Sequence, residues 1–187
     1  MEDRRIRKTK KAFYNTLIEL LEKKEIRNIG IQELCDLADS HRSTFYYHYQ
    51  DIYALYDEME GRILEEFSSM LSAGDSHNYY SVYTNVINYL CDSSNVWNVL
   101  LGNNGNRNFK DKVSALLEEK YLAIWKYETG KDNFSDEFLI IARSNISAFI
   151  TLLTELLRKC GSWPAEDMES ILSDMDIAFD GLLSKYI

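Results

Sequence analysis

Apolar residues recur three and four positions apart along nearly the whole 187-residue chain, and one proline and eight glycines leave little material for turns. That period belongs to helices that bury one face, whereas half-buried strands alternate every second residue. The chain is therefore expected to be all-α. Its hydrophobic fraction of 45% and aromatic fraction of 13% are enough for a packed core and too high for a disordered segment.

The spacing predicts a first helix from about Arg5 to Lys24, with Ile6, Phe13, Leu17, Leu20 and Leu21 on one stripe. A break near 28–30 leads to a short helix over 31–38 that buries Ile31, Leu34, Leu37 and Ala38. A second short helix spans about 42–47, and a long helix follows over 51–71. After a polar loop at 72–78, helices are expected near 79–92, 95–101, 108–129, 135–160 and 165–185. Gly161 is placed to end the penultimate helix, and Pro164 falls in the opening turn of the last.

The net charge of −9 is unevenly spread. Residues 1–51 hold ten Lys/Arg against nine Asp/Glu, so the acidity belongs to the remainder. Arg4, Arg5, Arg7, Lys8, Lys10 and Lys11 form a basic head that a phosphate backbone would attract. Cys35, Cys91 and Cys160 are far apart and lack CxxC spacing, which leads to an expectation of reduced structural thiols. No uninterrupted apolar run approaches ~20 residues and no signal-peptide core is visible, so a cytoplasmic chain with no membrane partner is expected.

The stretch HRSTFYYHYQD, residues 41–51, concentrates aromatics, histidines and an arginine. In a helix advancing ~100° per residue, Phe45 and Tyr49 point together toward the stripe of the first helix. Ser43 and Tyr47 point away, Thr44 and Tyr46 flank them, His48 lies at the rim and Arg42 stands at the N-terminal end. Each outward type suits DNA. Arginine pairs with guanine O6 and N7, hydroxyls reach phosphates or base edges, and a threonine methyl packs on thymine's methyl. An aromatic-rich helix can equally be core or a protein contact. The order of a sheltering helix with a basic start, a short apolar helix, a tight turn and this outward set favours a helix-turn-helix.

Residues 4–56 closely resemble the N-terminal DNA-binding domain of the TetR family of bacterial transcriptional regulators, most specifically in TKKAFYNTLIELL and RSTFYYHYQD. The resemblance implies a three-helix helix-turn-helix domain over 1–51 joined to a larger all-α helical-bundle domain over 52–187 for effector binding and dimerisation. It implies a homodimer on a double-stranded DNA operator, with Arg42, Ser43, Thr44, Tyr46, Tyr47 and His48 as contacts, and Lys8 and Lys10 join them from the basic head. Three positions depart from the family's habit. Gly30 replaces the Thr or Ser that caps the second helix, Asp39 replaces the turn glycine, and Ile52 replaces a lysine at the start of the long helix.

The C-terminal domain shows no catalytic constellation: His77 stands alone, and no His and carboxylate set has metal-ligand spacing. No enzyme, metal or cofactor is expected. The last two helices are apolar over too much of their circumference for one neighbour to bury. Phe149, Leu153 and Leu156 with Met175, Phe179 and Leu182 are the expected dimer interface, as an intermolecular four-helix bundle, the alternative being a monomer core. Trp97, Tyr121 and Trp125, with Tyr79, Tyr80, Tyr83 and Tyr89, are candidate walls of a small-molecule effector pocket or parts of a filled aromatic core. The resulting reading is a homodimeric repressor that binds a palindromic operator and is released by an effector. The alternative is a protein-interaction module, a coactivator or ligand sensor, on the same fold without operator binding.

Overall fold

A computed structural model describes residues 4–73, 79–102 and 108–186, with the backbone alone described at 73 and 79–83. Among these residues the chain forms nine α-helices and one 3-10 turn, and no strand. The helices are α1 (Arg4–Leu21), α2 (Ile31–Leu37), α3 (Arg42–His48), α4 (Ile52–Ala73), α5 (Tyr79–Asp92), α6 (Ser94–Leu101), α7 (Phe109–Thr129), α8 (Asp136–Leu157) and α9 (Ala165–Leu183). His77 lies outside the described residues, as do the side chains of Tyr79, Tyr80 and Tyr83.

Two compact units are present, one of Met1–Glu65 with Asn95–Phe109, the other of Glu66–Ser94 with Lys110–Ile187. The packing does not follow the functional division drawn between residues 51 and 52. The early turns of α4 bury Ile52, Leu55, Tyr56 and Met59, and belong to the first unit.

In the first unit α1 packs on α2, and α2 on α3. Phe13, Leu17, Leu21, Leu34 and Phe45 are fully buried there. Each such side chain contributes about 1.5–3 kcal/mol relative to exposure, which is how helices of seven residues, too short to persist alone, are held. Leu37 departs from expectation: it is 60% exposed, and Cys35 is buried in its place. The buried face of α2 is centred between Leu34 and Cys35, on the side shared with Ile31 and Ala38. Leu37 lies about 100° round the helix from that centre. A 3-10 turn over Ile26–Asn28 precedes α2, and Lys24 pairs with Glu33 across it at 2.5 Å.

The second unit is built on α9, against which both α5 and α8 pack. Ser135 caps α8, its hydroxyl accepting a hydrogen bond from the Phe138 amide at 3.2 Å, and Asp136 and Glu137 complement the helix dipole in its first turn. Gly161, with φ of 79°, turns the chain after α8, and Pro164 sits at the cap position of α9, one residue before its first turn. The expectation of unpaired thiols fails for two of the three cysteines. Cys91 at the end of α5 and Cys160 after α8 form a disulfide, while Cys35 is free and buried. Sixty-nine residues separate the two, so nothing in their local spacing marked them as a pair.

α8 also corrects the search for long apolar runs. Charged and hydroxyl residues interrupt it, yet an 18-residue window of this 22-residue helix has a mean hydropathy of 1.4, so the helix is long and apolar enough by length and composition to cross a membrane. Here its apolar residues Phe138, Ile146, Phe149 and Leu153 are buried within the second unit.

Candidate nucleic-acid interface

α2, a four-residue turn and α3 make the helix-turn-helix. The turn is closed by the Ser40 amide bonding to the Cys35 carbonyl at 3.0 Å, and Asp39 takes the left-handed conformation, φ 48°. Aspartate tolerates that conformation better than most residues, which is how the chain dispenses with glycine at this point. Gly30 caps α2 with φ −83° and ψ 139°, its carbonyl accepting from the Leu34 amide, and supplies no side-chain hydrogen bond.

α3 is fixed from within by its inward aromatics. Phe45 meets Phe13 edge-on at a centroid distance of 5.4 Å, and Tyr49 meets both rings at 6.3 and 5.6 Å. Such pairs add about 0.5–1.5 kcal/mol beyond burial. The expected outward set lies on the opposite face. Arg42, Ser43, Tyr46 and Tyr47 are exposed, Tyr47 by 79%, while Thr44 and His48 are half-buried. Arg42 donates to the Tyr46 hydroxyl at 3.3 Å, and the Tyr47 and His48 rings lie edge to face at 4.9 Å. Among residues 42–48 there is no acid. Asp51 is turned to another use, accepting from the Ala54 amide at 2.8 Å and so capping α4. Ile52, where the resemblance leads one to look for a lysine, is 6% exposed and serves the core.

The basic head divides. Arg4, Arg5, Arg7, Lys8 and Lys11 are exposed on α1. Lys10 is not free for a phosphate: its Nζ bonds Glu58 of α4 at 2.8 Å and stands 5.8 Å over the Tyr49 ring. Tyr14 donates to the same Glu58 oxygen at 2.5 Å. Partial burial pushes the Glu58 carboxyl up, but the hydrogen bonds from Lys10 and Tyr14 outweigh it and hold the group below the usual carboxylate range. Burial, and then the bond to Glu58, push the Tyr14 hydroxyl far above its ordinary value. Glu58 thus links α1 to α4, and Lys10 extends the contact to the ring of Tyr49, which ends α3. A cleft of about 590 Å³ opens beside it, lined by Arg7, Lys10, Lys11 and Arg62 as well as Glu58 and Glu65.

The candidate effector walls fall in both units. Trp97 is buried in the first unit, its ring edge-on to Phe109 at 5.5 Å. Tyr121 and Trp125 belong to the second, where Trp125 packs on Phe138 at 4.9 Å in a cluster with Ala142 and Leu183. Tyr89 stacks on Phe67. A cleft of about 370 Å³ in the second unit is lined instead by α7 and α8 residues that include Lys110, Ser147, Thr151, Thr154 and Arg158.

The expected dimer residues also divide. Phe149, Leu153 and Leu156 are buried within the chain itself, because α8 turns that face to its own neighbours. Met175 and Phe179 are half-buried and Leu182 is exposed. The large apolar side chains left uncovered on these two helices include Ile140 on α8 and Ile171, Ile177 and Leu182 on α9.

No family model matches this sequence, and no curated protein matches it either. Solved structures do. A TetR transcriptional regulator from Streptococcus agalactiae superposes with a TM-score of 0.66 at 24% identity, over 92% of this chain and 96% of that one. NalD, the secondary repressor of the MexAB-OprM multidrug efflux pump in Pseudomonas aeruginosa, gives 0.61 at 17% identity, over 90% and 94%. DhaS, a dihydroxyacetone kinase operon activator, gives 0.60 at 17%, over 95% and 97%. The chain has the fold of TetR-type transcriptional regulators, shared over nearly its whole length.

Proposed function

We propose that the protein is a DNA-binding transcriptional regulator that acts in the cytoplasm as a homodimer, with one α3 from each protomer in successive major grooves of a palindromic operator. The observation that carries this is the division of α3. Its inward aromatics are locked to α1, and its outward face offers Arg42, Ser43, Tyr46 and Tyr47 to solvent without an acid among them. Thr44 and His48 border that face, and Lys8, exposed on α1, adds a phosphate contact. Lys10 acts as a positioning residue through Glu58.

Dimerisation through α8 and α9 follows from the uncovered Ile140, Ile171, Ile177 and Leu182. The outer row of α8 is small: Ser144, Ser147 and Thr151 donate their hydroxyl protons to carbonyls four residues back, at 2.8–2.9 Å. Those groups ask little of a partner, so a second helix can approach closely. An effector acting on the second unit must bind one dimer geometry better than the other to switch anything. Tyr121 and Trp125 are the aromatic surface it would have to part. The sign of regulation follows from where the operator lies: NalD is a repressor and DhaS an operon activator, and occlusion of a promoter makes repression the reading for this chain. No catalytic step is proposed.

Selection of bound sequences from a random duplex library at about 0.15 M salt tests this, since long-range attraction between exposed charges is screened there. A palindromic consensus with half-sites about one helical turn or a multiple apart is expected. A folded dimer that recovers no motif would replace operator binding with the protein-interaction reading.

A further inference from the structure

Nothing in the proposed function uses the Cys91–Cys160 pair. Cys91 lies in the last turn of α5, and Cys160 in the turn between α8 and α9. Both are half-buried, so a small reagent can reach them. α5 and α8 both pack on α9, and the two Cα atoms are 5.2 Å apart. The reduced chain therefore keeps the thiols as neighbours, and closing a 69-residue loop costs little of the entropy it would cost a free coil. The third cysteine does not compete. Cys35 is fully buried in the first unit, where burial and the neighbouring Asp36 push its thiol up and leave it protonated.

The position of Cys91 gives the bond something to control. The chain passes from the second unit into the first between Ser94 and Asn95, three residues after Cys91. A cross-link to the α8–α9 turn anchors the end of α5 just before that passage. Without it that covalent anchor is gone.

We infer that Cys91 and Cys160 form a reversible dithiol–disulfide site that takes low-molecular-weight disulfides of the glutathione class, and that its state sets how firmly the end of α5 is held. Cys160 is assigned as the attacking residue, because it lies in the turn after α8 whereas Cys91 is built into the last turn of α5. The Cys160 thiolate attacks one sulfur of the reagent, forming a mixed disulfide and releasing one small thiolate. The Cys91 thiolate then attacks the Cys160 sulfur and expels the second. In total two protein thiols and one small disulfide become one protein disulfide and two small thiols. In a reducing compartment such bonds are transient or sensory. The inference of a regulatory input to operator binding rests on the function proposed above.

The test uses the full chain equilibrated with glutathione and glutathione disulfide from fully reducing to fully oxidising ratios. Alkylation and mass spectrometry report the 91–160 bond, and amide hydrogen exchange reports order over 86–100. The expected result is a reversible transition, with exchange near Cys91 faster in the reduced state and unaffected by the buffer in Cys91→Ser. Cys91→Ser should also retain a glutathione adduct on Cys160. Operator affinity should differ about tenfold between the two states, a typical coupling between distant sites. A bond that resists every ratio or never forms, exchange that ignores its state, or normal operator binding that is equal in both states would each overturn the inference. Redox-dependent exchange in a protein that selects no DNA sequence would uphold the thiol site and remove the operator reading instead.

Discussion

α3 and α9 both present large side chains to water, and the chemistry of those side chains separates their uses. Tyr47 on α3 is 79% exposed and Ile177 on α9 is 67% exposed. Tyrosine carries a hydroxyl that can bond a phosphate or a base edge, and its neighbours on α3 are Arg42, Ser43 and Tyr46. Isoleucine can be satisfied only by another apolar surface, and α9 also exposes Ile171 and Leu182, roughly 120° and 140° round the helix from it. Comparable exposure therefore suits different partners, and the proposed ones are a polyanion for α3 and a second copy of the chain for α9. A list of exposed hydrophobic residues would merge the two faces. Their hydrogen-bonding capacity distinguishes them.

The largest effect is expected from a change inside α3. Phe45→Ala removes the ring that Phe13 and Tyr49 enclose and should cost about 3–5 kcal/mol, read as a lower denaturant midpoint with DNA binding lost alongside. On α9, Ile177→Arg should weaken self-association by about 2 kcal/mol or more while helix content persists, which sedimentation and circular dichroism separate. A variant that stays dimeric would move the interface elsewhere. Tyr47→Ala should weaken operator binding by about 1.5–3 kcal/mol per half-site, with unfolding and dimerisation unchanged. Aggregation or loss of cooperative unfolding would instead make Tyr47 structural.

Smaller effects sharpen the contrast. Burial, then Asp176 and Glu128, push the Asp180 carboxyl up to about 6. The folded chain then binds a proton that the unfolded chain, with a carboxyl near 3.8, does not. This group's contribution to stability is full below the unfolded value and is lost as pH rises through about 6. Asp180→Asn should flatten that slope and modestly raise the thermal midpoint at neutral pH. The smallest change is at the cap of α2. A Cβ on Gly30 meets nothing within 4 Å and the backbone is already extended, so Gly30→Thr should fit, stabilise by a few tenths of a kcal/mol and add a phosphate contact. Loss of stability there would show that the cap is not open.

The helices were legible because burial in this chain follows helical period. The last turn of α3, the start of α5 and most of α7 fall where the spacing of apolar residues puts them, within a residue or two. The inward pair Phe45 and Tyr49 could be read the same way. Leu37 could not, since in a seven-residue helix one apolar residue off the face shifts the apparent stripe. The Cys91–Cys160 bond and the Glu58 link joined residues 69 and 48 positions apart, and no local pattern marks a partner at such a distance. Lys10 and Tyr14 stand one turn apart on α1, which shows that they share a face but not what they meet. The C-terminal aromatics were left with two readings, pocket walls or filled core, for a related reason. Composition shows how many rings are present, and only packing shows whether they enclose space or fill it.

The Glu58 clamp has a consequence for ion counting. A lysine that neutralises DNA releases a condensed counterion, and each such release steepens the fall of affinity with salt by about 0.9 in the logarithmic slope. Lys10 already carries its counter-charge inside the protein, so it arrives at the duplex with nothing to exchange. Of the basic residues that crowd the start of α1, Lys10 is thus one that would add to the charge of the proposed operator-binding face without adding to its salt dependence.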